Sequence, residues 1–300
     1  MALKTTTKTV LAGVASALIT AAPASAEAQQ QHTYNMPVGY INNVKSEAHL
    51  SVLGVNLAIN SVVCGIKAGF EGRNIFKDIG QCFAGATIQY TGMELGAQLN
   101  EAPGIPAAAY RATEIGTSMI QNTLKGIGPL EEVNVGFGPA YFQINTKTGK
   151  VDYSWNILPV GGLIANMALG NQLDFEKTFL YQTPVFSTAG RNKVDYGYAF
   201  GNILTYNRSK SNRADEFLSH EFIHLTQYVR LRPVEQFTET DFLKNKLHLR
   251  IGEDLVTGIL QTPQIICAML PNYDHSCRRR WWLPLEVEAY ALAKKAPEKK

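Results

Sequence analysis

Asp215-Glu216-Phe217-Leu218-Ser219-His220-Glu221-Phe222-Ile223-His224-Leu225-Thr226-Gln227-Tyr228-Val229-Arg230 is the stretch on which the reading of this 300-residue chain turns. Phe217, Leu218, Phe222, Ile223, Leu225, Tyr228 and Val229 recur at helical spacing, with Asp215, Glu216, Gln227 and Arg230 between them. Ser211 or Asn212 can cap the start, Asp215 suits the first turn and Pro233 stops the run, so the spacing predicts a helix of about five turns. Positions i and i+4 of a helix share a face, so His220 and His224 present two imidazoles to one point. Glu221 follows the first of them directly.

These residue types at this spacing suit one Zn²⁺ and an activated water. Neutral imidazole nitrogens bind zinc at about 2.0–2.1 Å, and an open coordination position lets the metal lower the pKa of a bound water to about 7. Glu221 is expected to act as a base rather than a ligand, taking the proton of that water and passing it to the leaving amine as a carbonyl is attacked. The plainer reading is two polar residues on a surface helix face. The metzincin extension needs Gly at 227 and His at 230, whereas the chain has Gln227 and Arg230, which excludes that subclass.

A catalytic zinc needs a third protein ligand. Leu283-Pro284-Leu285-Glu286-Val287-Glu288-Ala289-Tyr290-Ala291-Leu292-Ala293 reads as a later helix, with Pro near its first position and two acids in its first turns. In these two segments, 211–230 and 283–293, the chain resembles the gluzincin metallopeptidases, whose third ligand is a Glu on a later helix in a pattern close to E-x-x-A-D. The resemblance implies Glu286 as the third ligand with Glu288 in reserve, because two residues about 200° apart around a helix cannot both face one ion. Tyr290 stands where the family often has an Asp that partners a ligand His. Either acid alone equally suits the positive end of the helix dipole. Tyr273, His275, Arg278 and Tyr290 are the candidates for stabilising an oxyanion, and spacing singles out none of them.

Lys4 and Lys8 precede an apolar run from Val10 to Ile19, and Ala24-Ser25-Ala26 is a small-x-small cleavage site. Residues 1–26 therefore read as a secretory signal peptide, which makes the mature protein periplasmic or secreted, with envelope association as a variant. The apolar core is short for a membrane-spanning anchor. Loss of Lys4 and Lys8 takes the formal charge from +3 to +1, which leaves no electrostatic footprint for nucleic acid. Export makes disulfides the expected state of the four cysteines. Cys64 and Cys82 flank the polar break Glu71-Gly72-Arg73-Asn74 at equal distance from Arg73, so they can face each other across an antiparallel helical hairpin. Cys267 and Cys277 bracket the turn-like Leu270-Pro271-Asn272-Tyr273-Asp274 and form the second expected pair.

With 45% hydrophobic residues the chain can build a substantial core. Residues 27–130 are expected to be a mainly helical region, with helices from Val44 to Lys125 broken at Glu71–Asn74 and again from Ala102 to Pro106. Gly65/Gly69 and Gly92/Gly96 have a small-x-x-x-small spacing that lets helices approach closely. Ser51, Asn56, Asn60 and Ser61 interrupt the apolar run Leu50 to Ile66 and argue against a membrane span. Val133–Asn145 and Lys150–Ile157 alternate around the turn at Asn145–Gly149, a β-hairpin, and Lys177–Ser187 and Val194–Tyr206 read as further strands. A sheet followed at once by such a helix is the zincin arrangement. The expected fold class is thus α+β, a zincin-like sheet and active-site helix within residues 131–300, preceded by the helical region.

The favoured function is an exported metallopeptidase with one Zn²⁺ and a peptide or protein substrate aligned along a sheet edge. A zinc hydrolase of non-peptide amides or esters would use the same residues. A noncatalytic envelope or surface binding protein is the third reading, with the helical half as its working part. Arg278-Arg279-Arg280-Trp281-Trp282 adds peripheral membrane contact as a candidate, since indoles beside cations suit anionic headgroups; the same residues also suit packing beside the motif helix with solvated arginines.

Overall fold

A computed structural model describes residues 38–99, 102, 104–188, 197–208, 214–234 and 249–250. The described residues begin with three long helices: α1 (Val38–Phe70), α2 (Ile75–Gln98) and α3 (Ile105–Lys125). Asn74 starts α2 by accepting a hydrogen bond from the Lys77 amide at 3.1 Å, and Gly126 ends α3 in the left-handed conformation. Cys64 and Cys82 are bridged across the α1–α2 hairpin with their Cα atoms 6.5 Å apart, as their placement about Arg73 predicts. Arg73 itself pairs with Asp78 and donates at 2.8 Å to the Thr123 carbonyl, which fastens the α1–α2 turn to the end of α3. Among the described residues no helix is long and apolar enough to cross a membrane.

Helices α2 and α3 touch through their backbones. A Cβ on Gly92 would lie 2.6 Å from the Ala109 carbonyl oxygen, and one on Gly116 would lie 2.6 Å from the Gln89 amide nitrogen. Gln89 Nε2 donates to Thr117 Oγ1 at 2.7 Å within that seam, so its buried polar groups stay satisfied. The Gly92/Gly96 step does bring helices close: both glycines face Ala109 of α3, and Gly96 faces Phe222 of the motif helix as well.

Among the described residues two four-stranded sheets follow. The first contains, side by side, β1 (Glu132–Phe137), β2 (Ala140–Asn145), β3 (Val151–Asn156) and β8 (Leu249–Arg250), the last parallel to β3. The expected hairpin is β2–β3, where Asn145 Oδ1 accepts from the amides of Lys147 and Thr148. Helix α4 (Ile157–Ala168), which the sequence pattern did not announce, leads to the second sheet. That sheet is built from β4 (Gln172–Leu173), β5 (Val185–Thr188), β6 (Gly197–Phe200) and β7 (Ile203–Asn207), in the spatial order β4-β5-β7-β6. Strands β5 and β7 are parallel, and β6 is an antiparallel edge joined to β7 by a tight turn.

The structure corrects three of the expected strands. Val133–Asn145 and Val194–Tyr206 are each divided by a two-residue turn, at Gly138-Pro139 and Gly201-Asn202. Both turns begin with glycine at positive φ, 54° and 56°, which is the backbone geometry that folds twisted strands back on themselves. Within Lys177–Ser187 the first residues belong to helix α5 (Phe175–Tyr181) instead. Asp174 caps it by accepting from the Lys177 amide at 3.0 Å, and Thr178 and Tyr181 bury one helical face, so the strand starts only at Val185. Asp174 also receives the Tyr206 hydroxyl at 2.7 Å; burial, reinforced by this carboxylate, pushes the phenol well above its ordinary pKa and keeps it a donor.

The glycine seam predicts a contrast between two substitutions. Gly116→Val should lower stability in denaturant unfolding by about 2–3 kcal/mol, since the added methyls meet backbone that cannot move aside. Gly80→Ala, on α2 but with nothing within 4 Å, should instead stabilise by about 0.5–1 kcal/mol. Replacing Cys64 and Cys82 together by Ala should cost about 3 kcal/mol, measured the same way with the wild type oxidised.

Candidate metal centre

The motif forms α6 (Ala214–Leu231), 18 residues long, and continues through a short 3-10 turn, Arg232–Val234. Pro233 therefore ends the α-helix while the chain makes one further helical turn. The capping positions Ser211 and Asn212 lie outside the described residues.

Helix α6 is clamped between the second sheet and the long helices. Leu218, Phe222, Leu225 and Val229 share one buried cluster with Tyr181, Val185, Ala199, Leu204 and Tyr206 on one side and Ala109 and Tyr110 on the other. Ile223 packs separately with Tyr90, Met93 and Ala97 of α2. Ser219 Oγ donates at 2.7 Å to the Ala97 carbonyl, and the Phe222 ring fills the space that a side chain at Gly96 would occupy. The core therefore runs across position 130/131, the expected limit between the helical region and the motif domain.

That packing buries α6 from two sides, and the i, i+4 spacing puts the histidines on a common stripe. His220 Nε2 and His224 Nε2 are 3.1 Å apart, with their rings 4.8 Å between centroids and nearly perpendicular. Two nitrogens bonded to one zinc at about 2.0–2.1 Å and a tetrahedral angle would stand about 3.3–3.4 Å apart. The pair thus fits a shared ion within a few tenths of an ångström. Glu221 is 8% exposed and His224 7%, so both are sheltered from bulk water, while His220 is only partly buried. The second nitrogen of His224, Nδ1, lies 2.8 Å from Gln227 Oε1.

Among the described residues no group of three or more His, Cys, Asp or Glu is placed to hold one ion. Glu286 and Glu288 lie outside the described residues, together with Tyr273, His275, Arg278, Tyr290, Cys267, Cys277 and residues 1–26. Gln227 is the residue whose contact with the histidine pair was not drawn from the sequence, where it counts as a polar position of the helical pattern and as the residue that excludes the metzincin extension. Its signal was present: three residues after His224 on a helix is the next position on the same face.

The far end of α6 is held by a buried ion cluster. Arg232 is fully buried and its Nη1 donates at 3.1 Å to Oε1 of Glu114, itself 1% exposed. The same oxygen accepts from the Gly136 amide at 2.7 Å, and Oε2 pairs with Arg111. Arg232 also lies 4.7 Å from the Tyr141 ring centroid, and its carbonyl accepts from Gln121 Nε2 at 3.1 Å. One carboxylate on α3 thereby joins the first sheet to the end of the motif helix.

No protein-family model matches this chain, and neither a curated protein nor a solved structure matches it.

Glu114→Gln should cost about 3–5 kcal/mol of stability, because it leaves Arg232 charged and buried without a counter-charge. Asp152→Asn, which breaks the exposed pair with Lys150, should leave stability nearly unchanged in the same denaturant titration.

Proposed function

We propose that this chain is an exported zinc-dependent metallopeptidase of gluzincin type that hydrolyses peptide bonds. The observation that carries the reading is the convergence of His220 Nε2 and His224 Nε2 to 3.1 Å on a helix in which Glu221 is buried. His220 and His224 would hold the metal with Glu286, or with Glu288 in its place. Bound zinc supplies Lewis acidity toward water and toward a carbonyl oxygen. Glu221 accepts the proton of the attacking water and delivers it to the leaving nitrogen. Its low exposure limits competing exchange with bulk solvent.

Strand β6 supports a peptide substrate in particular. It packs beside α6 and pairs on one side only, with β7, among the described residues. An extended chain can add to that edge by backbone hydrogen bonds, which bind any sequence and leave side chains to select. The leader at residues 1–26 and the Cys64–Cys82 bridge suit function after export.

One observation favours a second reading, a binding role for the helical half. The outward side of α2 exposes Phe76, Phe83, Ile88 and Leu95, an apolar surface that hydrolysis does not require. Zinc content and activity separate the two readings.

Purified mature protein should contain one zinc and cleave members of a peptide library. Glu221→Gln should retain the zinc and lose at least about 10²-fold in rate, the usual scale of general acid–base assistance. His224→Ala should lose both metal and activity. Equal rates for wild type and Glu221→Gln would show that Glu221 is not the base. A zinc-loaded wild type that cleaves esters or non-peptide amides but no peptide would move the assignment to the other hydrolase class.

A further inference from the structure

We propose that Gln227 is a positioning residue of this centre: its side-chain carbonyl accepts a hydrogen bond from Nδ1–H of His224 and so keeps the Nε2 lone pair of His224 turned to the point shared with His220. The proposal rests on reading the two histidines as a metal pair, but the geometry that carries it belongs to residues 220–227 alone.

A neutral imidazole has one N–H, and only the nitrogen without it can bind a metal. The proton must therefore be held on Nδ1 if Nε2 is to serve. Gln227 Oε1 stands 2.8 Å from that Nδ1, and a carbonyl oxygen can only accept. Gln227 is 1% exposed and His224 7%, so water has little access to replace the amide as a partner. Both side chains leave the same helix three residues apart, and the helix backbone sets their separation. On either side of Gln227, Thr226 is fully buried and Tyr228 is 4% exposed, which holds this turn of α6 in the core.

The other histidine is constrained in turn. With His224 Nε2 as an acceptor, the 3.1 Å contact between the two Nε2 atoms has His220 as its donor when no metal is bound. The two rings thus carry opposite tautomers in the metal-free protein, His224 protonated on Nδ1 and His220 on Nε2. That pattern is a signature of the arrangement and does not depend on any activity.

The amide is also chemically distinct from a carboxylate in the same place. Gln227 orients the ring without adding negative charge, whereas Glu at 227 would keep the acceptor and make the ring a stronger donor to the metal.

The test is ring-nitrogen NMR of the metal-free protein, paired with zinc and cobalt affinities from chelator competition, on wild type, Gln227→Met and Gln227→Glu. Wild-type His224 should be the Nδ1–H tautomer. Gln227→Met keeps the volume and removes the acceptor; it should release His224 to a mixture of tautomers and weaken metal binding about 10–100-fold. Gln227→Glu should restore the tautomer and bring affinity back to within a few-fold of wild type. A purely packing role would alter stability without moving the tautomer. A wild-type His224 protonated on Nε2, or a Gln227→Met protein with unchanged tautomer and affinity, overturns the proposal. If Gln227→Met does not fold, the wild-type and Gln227→Glu ring spectra decide the question. Wild-type protein that binds neither metal sinks the metallopeptidase reading, and the tautomer measurement then decides Gln227 by itself.

Discussion

A carboxylate taken out of water must be compensated at close range, and Glu114 is 1% exposed. Its compensation comes from three separate pieces of chain: Arg111 one turn earlier on α3, the Gly136 amide on β1, and Arg232 just beyond α6. Separating Arg232 from Glu114 in particular would leave a fully buried guanidinium without this counter-charge. The cluster therefore fixes where the motif helix ends relative to the helical layer and the first sheet. Close packing at Gly136 follows from it, because a Cβ there would meet Glu114 Oε1 at 3.0 Å and Arg232 Nη2 at 3.2 Å.

The other constraint on the site is the rotation of α6 about its own axis. Phe222 seated against Gly96, Ile223 against Met93, and Leu218, Leu225 and Val229 in the larger cluster bury the helix from two sides. Once these are packed, the stripe carrying His220, His224 and Gln227 has one orientation. Preorganisation of this kind would lower the cost of ordering the two imidazoles around the zinc proposed here. The helical half contributes directly to it, since Gly96, Met93 and Ala97 of α2 and Ala109 and Tyr110 of α3 line the bed on which α6 lies.

The places where local pattern misled share a physical cause. Alternation of apolar and polar residues through Val133–Asn145 and Val194–Tyr206 says that side chains point to opposite faces, and it continues unchanged through a two-residue hairpin. Only the glycines at 138 and 201, held at positive φ, mark where the strand reverses. In Lys177–Tyr181 a short run fits a strand or a helical turn equally well, and the Asp174 cap decides for the helix. The long helices were easier to read because α1, α2 and α3 each repeat the helical period many times and break at clear turn signals around Arg73 and Gly104.

The sequence by itself determined the elements whose cause is local: the three long helices and their breaks, the Asn145 turn, the Cys64–Cys82 facing pair, and a helix that carries His220, Glu221 and His224 at metal-ligand spacing. Covalent geometry and helical period suffice for each of these. Tertiary structure decided the rest: Arg232, which pairs with Glu114, lies 118 residues away from it, and the register of α6 comes from packing against the second sheet and two of the long helices. It also decided that the ring nitrogens converge and that Gln227 meets His224. Side-chain rotamers inside a packed core answer to the surrounding volume and to the nearest available acceptor, and neither is written in the spacing of residues along one helix.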